Sequence, residues 1–363
     1  MSKIVDTEKE TNIFLGSEKK PFLAPRGVFF TGKHLLVSDT GQNRIFIWKG
    51  MPQGEYKSPD VILGHADEQS TGRNDGQSAS AKTLHYPSGI WSDDKKVIVA
   101  DAWNHRVLIW HKFPEKNGQA ADVVLGQPDF DKVQPNVQGV NTQPSAQTLY
   151  WPYGVFSDGK SLWIADTGNR RVLFFEKIPM ENFTKADKVI GQPTFSDRDY
   201  DSNNAIWPYS IKVSAKGELA ITDTSYYRVL LWRHKEKAFQ NPAAVILGQK
   251  NFDGNGQNQH SFFPQAHTLS WCYDTAFGET GIWVADTGNS RIVGWEELPE
   301  ENNQAAKKLI GQEVFTSGSE NMNSIQAAKE SLYWPFSVCA HEGKLYMADT
   351  GNHRIVVRKE TEY

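Results

Sequence analysis

One line of sequence recurs six times along the chain, and this recurrence limits the possible folds more than any composition figure does. It reads SDTGQNRIFIW from Ser38, ADAWNHRVLIW from Ala100 and ADTGNRRVLFF from Ala165. It returns as TDTSYYRVLLW from Thr222, ADTGNSRIVGW from Ala285 and ADTGNHRIVVR from Ala348. The leading aspartates Asp39, Asp101, Asp166, Asp223, Asp286 and Asp349 lie 62, 65, 57, 63 and 63 residues apart. Six such units use up all 363 residues, so the two or three domains that length alone suggests have no room.

Each unit carries further landmarks. A Pro-led apolar segment precedes the Asp: PRGVFF from Pro25, PSGIWS from Pro87, PYGVFS from Pro152, PYSIKV from Pro208 and PFSVCA from Pro335, with CYDTAF from Cys272 in the fifth unit. A short run such as KVIVAD or SLWIAD leads into the Asp, and a VILG-like run ends at Gly64, Gly126, Gly191, Gly248 and Gly311. Segments of four to six residues rich in Val, Ile, Trp and Phe, punctuated by Gly, Pro, Asn and Asp, are strand chemistry. Four short strands per unit, six times over, predict an all-β, six-bladed β-propeller with four-stranded blades.

The combination of a Pro-Gly-Val-like strand and a V-A-D-x-x-N-H-R-[IV] turn resembles the NHL-repeat family, over nearly the whole chain. Asn104, His105 and Arg106 carry the region of its eponymous triplet, as do Asn352, His353 and Arg354. Unit 4 departs from it, with Ser225, Tyr226 and Tyr227 at the turn, which leaves the turn geometry open there. The sixth unit runs out near Arg358 without its last strand, whereas Asn12–Gly16 reads like that strand at the other end of the chain. The expectation is a single propeller over residues 1–363, with residues 12–16 completing the last blade and removing an open sheet edge.

Charge and composition narrow the function. With 39 Lys and Arg against 43 Asp and Glu, the net charge is −4, and no basic tract is present. Nucleic-acid binding needs a basic footprint, and relatives that bind RNA through an NHL face have one. The loops here are acidic or amide-rich instead, as in Arg198-Asp199-Tyr200-Asp201 and Asp253-Gly254-Asn255. No apolar run approaches the roughly 18 residues of a membrane helix. Met1–Glu10 holds no apolar h-region, and two cysteines make no disulfide framework. A cytoplasmic protein is expected, or a secreted one if the natural chain carries more residues ahead of Met1.

The six Asp–Arg pairs (Asp39/Arg44, Asp101/Arg106, Asp166/Arg171, Asp223/Arg228, Asp286/Arg291 and Asp349/Arg354) look like catalytic chemistry. Sixfold repetition argues for structural turns instead, because a turn must be rebuilt in every blade and an active site only once. The carboxylate is expected to accept turn amides two residues on, the Gly to supply positive φ, and the Arg to reach carbonyls or the next blade. Function is expected where the repeats differ. The incoming loops, from each Gly to the next Pro-equivalent, span 9, 23, 26, 17, 24 and 24 residues, long enough in five blades to carry binding.

Beside these loops stand Tyr86, Trp151, Tyr153, Trp207, Tyr209, Trp271, Tyr273, Trp334 and Phe336. Arg26 breaks the series in blade 1, and Asp274 breaks it in blade 5. Either these aromatics cement adjacent blades, or they wall a pocket with Arg26 and Asp274 as its polar groups. A contact of Arg26 with Asp274 or with backbone that merely plugs the channel is a further alternative. So is an enzyme. Six-bladed relatives of the amide-lyase type hold zinc on inner-strand histidines, whereas here only His85 and His267 approach the mouth. Relatives of the lactonase type cage calcium with several oxygens, and Asp274 alone makes no cage. Cys272 with His267 in range is a nucleophile only if a base reaches it. No cofactor is called for, although a divalent metal in the channel stays open. The expected function is a non-catalytic binding or assembly module for a small ligand, peptide or protein partner.

Overall fold

The structure, a computed structural model, describes residues 12–198 and 206–362. Among these residues, twenty-four strands form six four-stranded antiparallel sheets around a ring. In blade 1 they are Gly27–Phe30, His34–Asp39, Arg44–Lys49 and Val61–Leu63, running outward in chain order. Neighbouring inner strands touch in sequence all the way round, and that of blade 6 (Pro335–His341) meets that of blade 1. Blade 6 is completed by Asn12–Phe14, which pairs with Arg354–Lys359 in the register Asn12↔Val357, Ile13↔Val356, Phe14↔Ile355. Phe14 is buried edge-on against Trp48, with ring centroids 4.9 Å apart, so the first strand also locks into blade 1. No helix among the described residues is long and apolar enough to cross a membrane.

The hydrophobic core lies between blades rather than within them. Six clusters occupy the six blade interfaces; the one between blades 2 and 3 joins Ile98, Val107 and Ile109 to Leu162, Ile164 and Leu173. Small residues let the inner strands approach one another. A Cβ on Gly154 would stand 2.5 Å from the Tyr209 carbonyl of the next blade, so no larger residue fits there.

The Asp–Arg pairs are staples, but they are strand residues rather than turn residues, which corrects the sequence-based expectation. Each Asp closes the second strand of its blade and each Arg opens the third. They face each other as the last rung of the ladder: Asp39↔Arg44, Asp101↔Arg106, Asp166↔Arg171, Asp223↔Arg228, Asp286↔Arg291 and Asp349↔Arg354. Only the residues between them form the turn, a single 3-10 turn such as Thr287–Asn289. The five-residue spacing suggests a turn, but two strands joined by so tight a link keep pairing right up to its edges.

The Arg reaches nearby carbonyls, one of the two expected roles, but the carboxylate's bonding differs from expectation. In blade 3, Asp166 accepts the Tyr150 amide on Oδ1 (2.7 Å), from sixteen residues upstream rather than from the turn. Its Oδ2 accepts Asn169 Nδ2 and Arg171 Nε, both at 2.8 Å. The Arg171 fork donates to the Ser145 and Thr148 carbonyls of the incoming loop and to Phe195 of the outgoing one. Blade 5 repeats this. Arg291, fully buried, gives Nε to Asp286 Oδ2 at 2.6 Å and its fork to the carbonyls of Gln265, Thr268 and Phe315. None of these partners is a carboxylate of the next blade; the pair ties to its own strands both its own incoming loop and the loop that enters the next blade. Positive φ falls on the residue after the Asn or its equivalent, namely Asn43, His105, Arg170, Tyr227, Ser290 and His353, and never on the turn glycine. Blade 4 makes the same turn with Ser225 and Tyr226 inside it. Burial outweighs the paired guanidinium and raises the carboxyl of Asp39 to about 6, and those of Asp166 and Asp286 upward too.

Candidate functional site

The long incoming loops are pinned by a device that the sequence reading missed. Asn104, Asn169, Asn289 and Asn352 in the turns each exchange reciprocal amide hydrogen bonds with Asn74, Asn136, Asn258 and Asn321 in the loops, at 2.8–3.2 Å. The loop asparagines sit at φ of 48–50°, a conformation that Asn tolerates. Their signal is an Asn ten to thirteen residues before the Leu that opens the strand approach, as in Asn74 before Leu84 and Asn136 before Leu149. The loops thus form a rigid face. Asp199, Tyr200 and Asp201 of the blade 4 loop lie outside the described residues.

The channel mouth on this face is filled. Tyr153 stacks on Tyr209 (4.8 Å), Tyr209 meets Tyr273 edge-on (4.9 Å), and Tyr273 lies 4.3 Å from Phe336. Arg26 closes the circuit, its guanidinium 3.9 Å from the Phe336 centroid and 5.1 Å from that of Tyr86. Burial pushes the Tyr273 phenol up to about 12 and those of Tyr86, Tyr153 and Tyr209 upward too, so all four stay neutral. Beneath the ring a cavity of about 50 Å³ is left, room for a few waters. Among the described residues no acceptor lies within hydrogen-bond distance of the Arg26 guanidinium, which is held by aromatic faces alone.

Asp274 does not pair with Arg26. It lies below the ring, where Oδ1 meets Lys212 Nζ at 2.9 Å and Ser210 Oγ at 2.5 Å, and Oδ2 accepts Ser337 Oγ at 2.8 Å. Lys212, one blade back, is close enough to claim it first.

Trp151, Trp271 and Trp334 stand at the rim with left-handed backbones and side chains 39–45% exposed. Trp207 is not their equivalent. Blade 4 has one residue fewer ahead of its proline, Ile206 lying two places before Pro208 where Leu149 lies three before Pro152, while both prolines pair with the Asp of their blade. Trp207 therefore gives its amide to Asp223 (2.6 Å), as Tyr150 does in blade 3, and lies half-buried under the Arg170 guanidinium (4.1 Å). The fourth rim indole is Trp103, equally exposed, stacked on Tyr86 and donating to the Tyr153 hydroxyl. It occupies the turn position that is Gly in most units, which is where the sequence shows it.

No family model and no curated protein matches the chain. Solved structures do. A protein of unknown function from Bacteroides thetaiotaomicron is 11% identical with a TM-score of 0.52, over 96% of this chain and 75% of that one. Hydrazine synthase of Kuenenia stuttgartiensis is also 11% identical with a TM-score of 0.52, over 94% and 97%. Virginiamycin B lyase of Staphylococcus aureus is 10% identical with a TM-score of 0.45, over 97% and 99%. The likeness is one of fold.

His85 and His267 belong to blades 2 and 5, three places apart in the ring, and the structure does not bring them together. No group of three His, Cys, Asp or Glu side chains gathers among the described residues. Cys272 is fully buried, its thiol pushed well up by burial, with the Arg228 carbonyl as its polar contact.

Proposed function

We propose that the protein is a non-catalytic binding module, a divergent propeller of NHL type working in the cytosol, whose loop-bearing face docks a peptide segment of a protein partner. The carrying observation is the Arg26 guanidinium, free of any carboxylate among the described residues and set inside a rim of exposed indoles. A filled mouth offers no deep pocket, so the contact is broad and shallow. Trp103, Trp151, Trp271 and Trp334 supply the large, rigid apolar anchors that dominate such contacts. Phe262, Phe263 and Ile325, exposed on the incoming loops of blades 5 and 6, extend the apolar surface. Arg26 selects a carboxylate, because its fork has free donors in a surround poor in water. The preferred segment pairs an acidic side chain or C-terminal carboxylate with apolar neighbours. The two unpaired cysteines suit a reducing compartment.

A random peptide display library tests this reading. Enriched peptides should combine a carboxylate with aromatic or aliphatic residues. Synthetic versions should lose about 1–3 kcal/mol of affinity to Arg26→Met and to Trp334→Ser. Unchanged affinity in both variants, with the melting temperature preserved, removes this face as the site.

A further inference from the structure

Among the described residues the opposite end of the channel is open. There the ends of the inner strands surround a funnel of about 440 Å³, within the roughly 300–1,000 Å³ range of small-molecule sites. Its walls include the half-buried rings of Phe29, Phe156 and Phe277 together with Val338. Its apex is Lys212, which lines both the funnel and the small cavity under the aromatic ring, so the Lys212–Asp274 pair is the partition between the two ends.

Two departures from the repeat meet in that pair. At the third inner-strand position the other blades carry Gly27, Gly89, Gly154, Ser210 and Ser337 where blade 5 has Asp274. At the fifth position they carry Phe29, Trp91, Phe156, Ala276 and Cys339 where blade 4 has Lys212. A buried ion pair is a poor stabiliser, since taking both charges out of water offsets most of their attraction. Small and apolar residues already hold the other four blades together at these positions, so stability does not call for the pair here.

The two partners differ in what they have left to offer. Asp274 is saturated: besides Lys212 it accepts Ser210 Oγ and the Thr275 amide on Oδ1, and Ser337 Oγ and the Val338 amide on Oδ2. The Lys212 ammonium has three donors and, among the described residues, Asp274 as its one partner. Two N–H groups remain at the tip of an aromatic-walled funnel. At the open end, Asp93 is paired with Lys96 (3.1 Å) and Asp94 with His34 (2.7 Å), which places carboxylates about the entrance and sets it against a second negative charge on a ligand.

We infer that this funnel is a binding site for a small amphipathic monocarboxylate, its carboxylate on Lys212 Nζ and its apolar body against Phe29, Phe156 and Phe277. The site is independent of the peptide-docking face, from which the aromatic ring separates it.

The full chain is titrated with 3-phenylpropanoate, 4-methylpentanoate, the neutral 3-phenylpropanamide and the dianion phenylsuccinate, by ligand-observed NMR and thermal shift. At least one monocarboxylate should bind saturably, about tenfold or more tighter than the amide and the dianion. Lys212→Met should abolish binding. The double variant Lys212→Met/Asp274→Ser, which leaves no unpaired buried charge, should also fail to bind while melting near the wild type. Arg26→Met should bind as the wild type does. No saturable binding of either monocarboxylate up to about 10 mM, equal binding of the amide, or undiminished binding by the double variant overturns the inference.

Discussion

His105 should make the propeller acid-sensitive, by an amount that can be worked out from its surroundings. Its Nδ1 accepts the Trp151 amide at 3.1 Å, which requires that nitrogen to be unprotonated. Burial pulls the imidazole down from 6.5 to about 4. Above pH 6.5 the ring is neutral in both folded and unfolded chains and costs nothing. As the pH falls, the unfolded chain takes the proton first, so stability is lost down to about pH 4. A gap of about 2.5 pH units at about 1.4 kcal/mol each amounts to about 3.5 kcal/mol, of which about 3 kcal/mol is lost by pH 4. Asp39 works the other way, because its raised carboxyl favours the folded state as the pH drops below about 6. The wild-type curve therefore mixes opposing contributions, and a variant is needed to separate them. Blade 1 shows which variant: Asn43 holds the equivalent position, and its Oδ1 accepts the Tyr86 amide at 2.9 Å. His105→Asn keeps the bond, suits the φ of 53°, and cannot titrate. Urea unfolding followed by tryptophan fluorescence should give equal stabilities near pH 7.5 and a variant about 3 kcal/mol ahead at pH 4. Parallel curves for the two proteins from pH 7.5 to 4 would refute the reasoning.

Three other outcomes are expected. Phe14→Ala should cost about 3–5 kcal/mol of unfolding free energy, because it empties the contact that joins the closing strand to Trp48; a change under about 1 kcal/mol would deny the closure its role. Asp166→Ala should cost about 3–5 kcal/mol by leaving Arg171 buried without its counter-charge, with peptide affinity per folded molecule unchanged; lost affinity at full stability would return these aspartates to the functional candidates. Asn136→Ala should cost about 1–3 kcal/mol, since Asn169 loses the partner of its reciprocal amide pair and keeps only Asp166. It should also speed amide exchange in residues 137–149, and unchanged exchange there would dissociate the amide pair from loop order.

What the sequence reveals about this protein follows from how often each feature is repeated. The strands, the blade count and the Asp–Arg staples recur six times, so each copy checks the others. Repetition shows that Asp286 and Arg291 are structural, but not that they end and open strands, because the boundary of a tight link leaves no mark in residue type. The missing sixth outer strand was readable only because five others define what is missing, and Asn12–Phe14 does fill it. The Asn–Asn pairs recur four times yet escape the eye, because their members lie about thirty residues apart in loops of unequal length. Trp207 shows the limit of alignment by landmark. It precedes a proline as Trp151 and Trp334 do, but one residue fewer between Ile206 and Pro208 than between Leu149 and Pro152 puts it in the place of Tyr150. Single departures are harder still. Arg26 and Asp274 stand out within one segment type and invite pairing across the channel, yet side chains on a ring pair by distance. Lys212 was hidden because a lysine at a strand's fifth position ordinarily points to solvent. Only the ring shows that this position in blade 4 faces the carboxylate of blade 5, and that the cation so placed stands at the end of the channel that the loops do not cover.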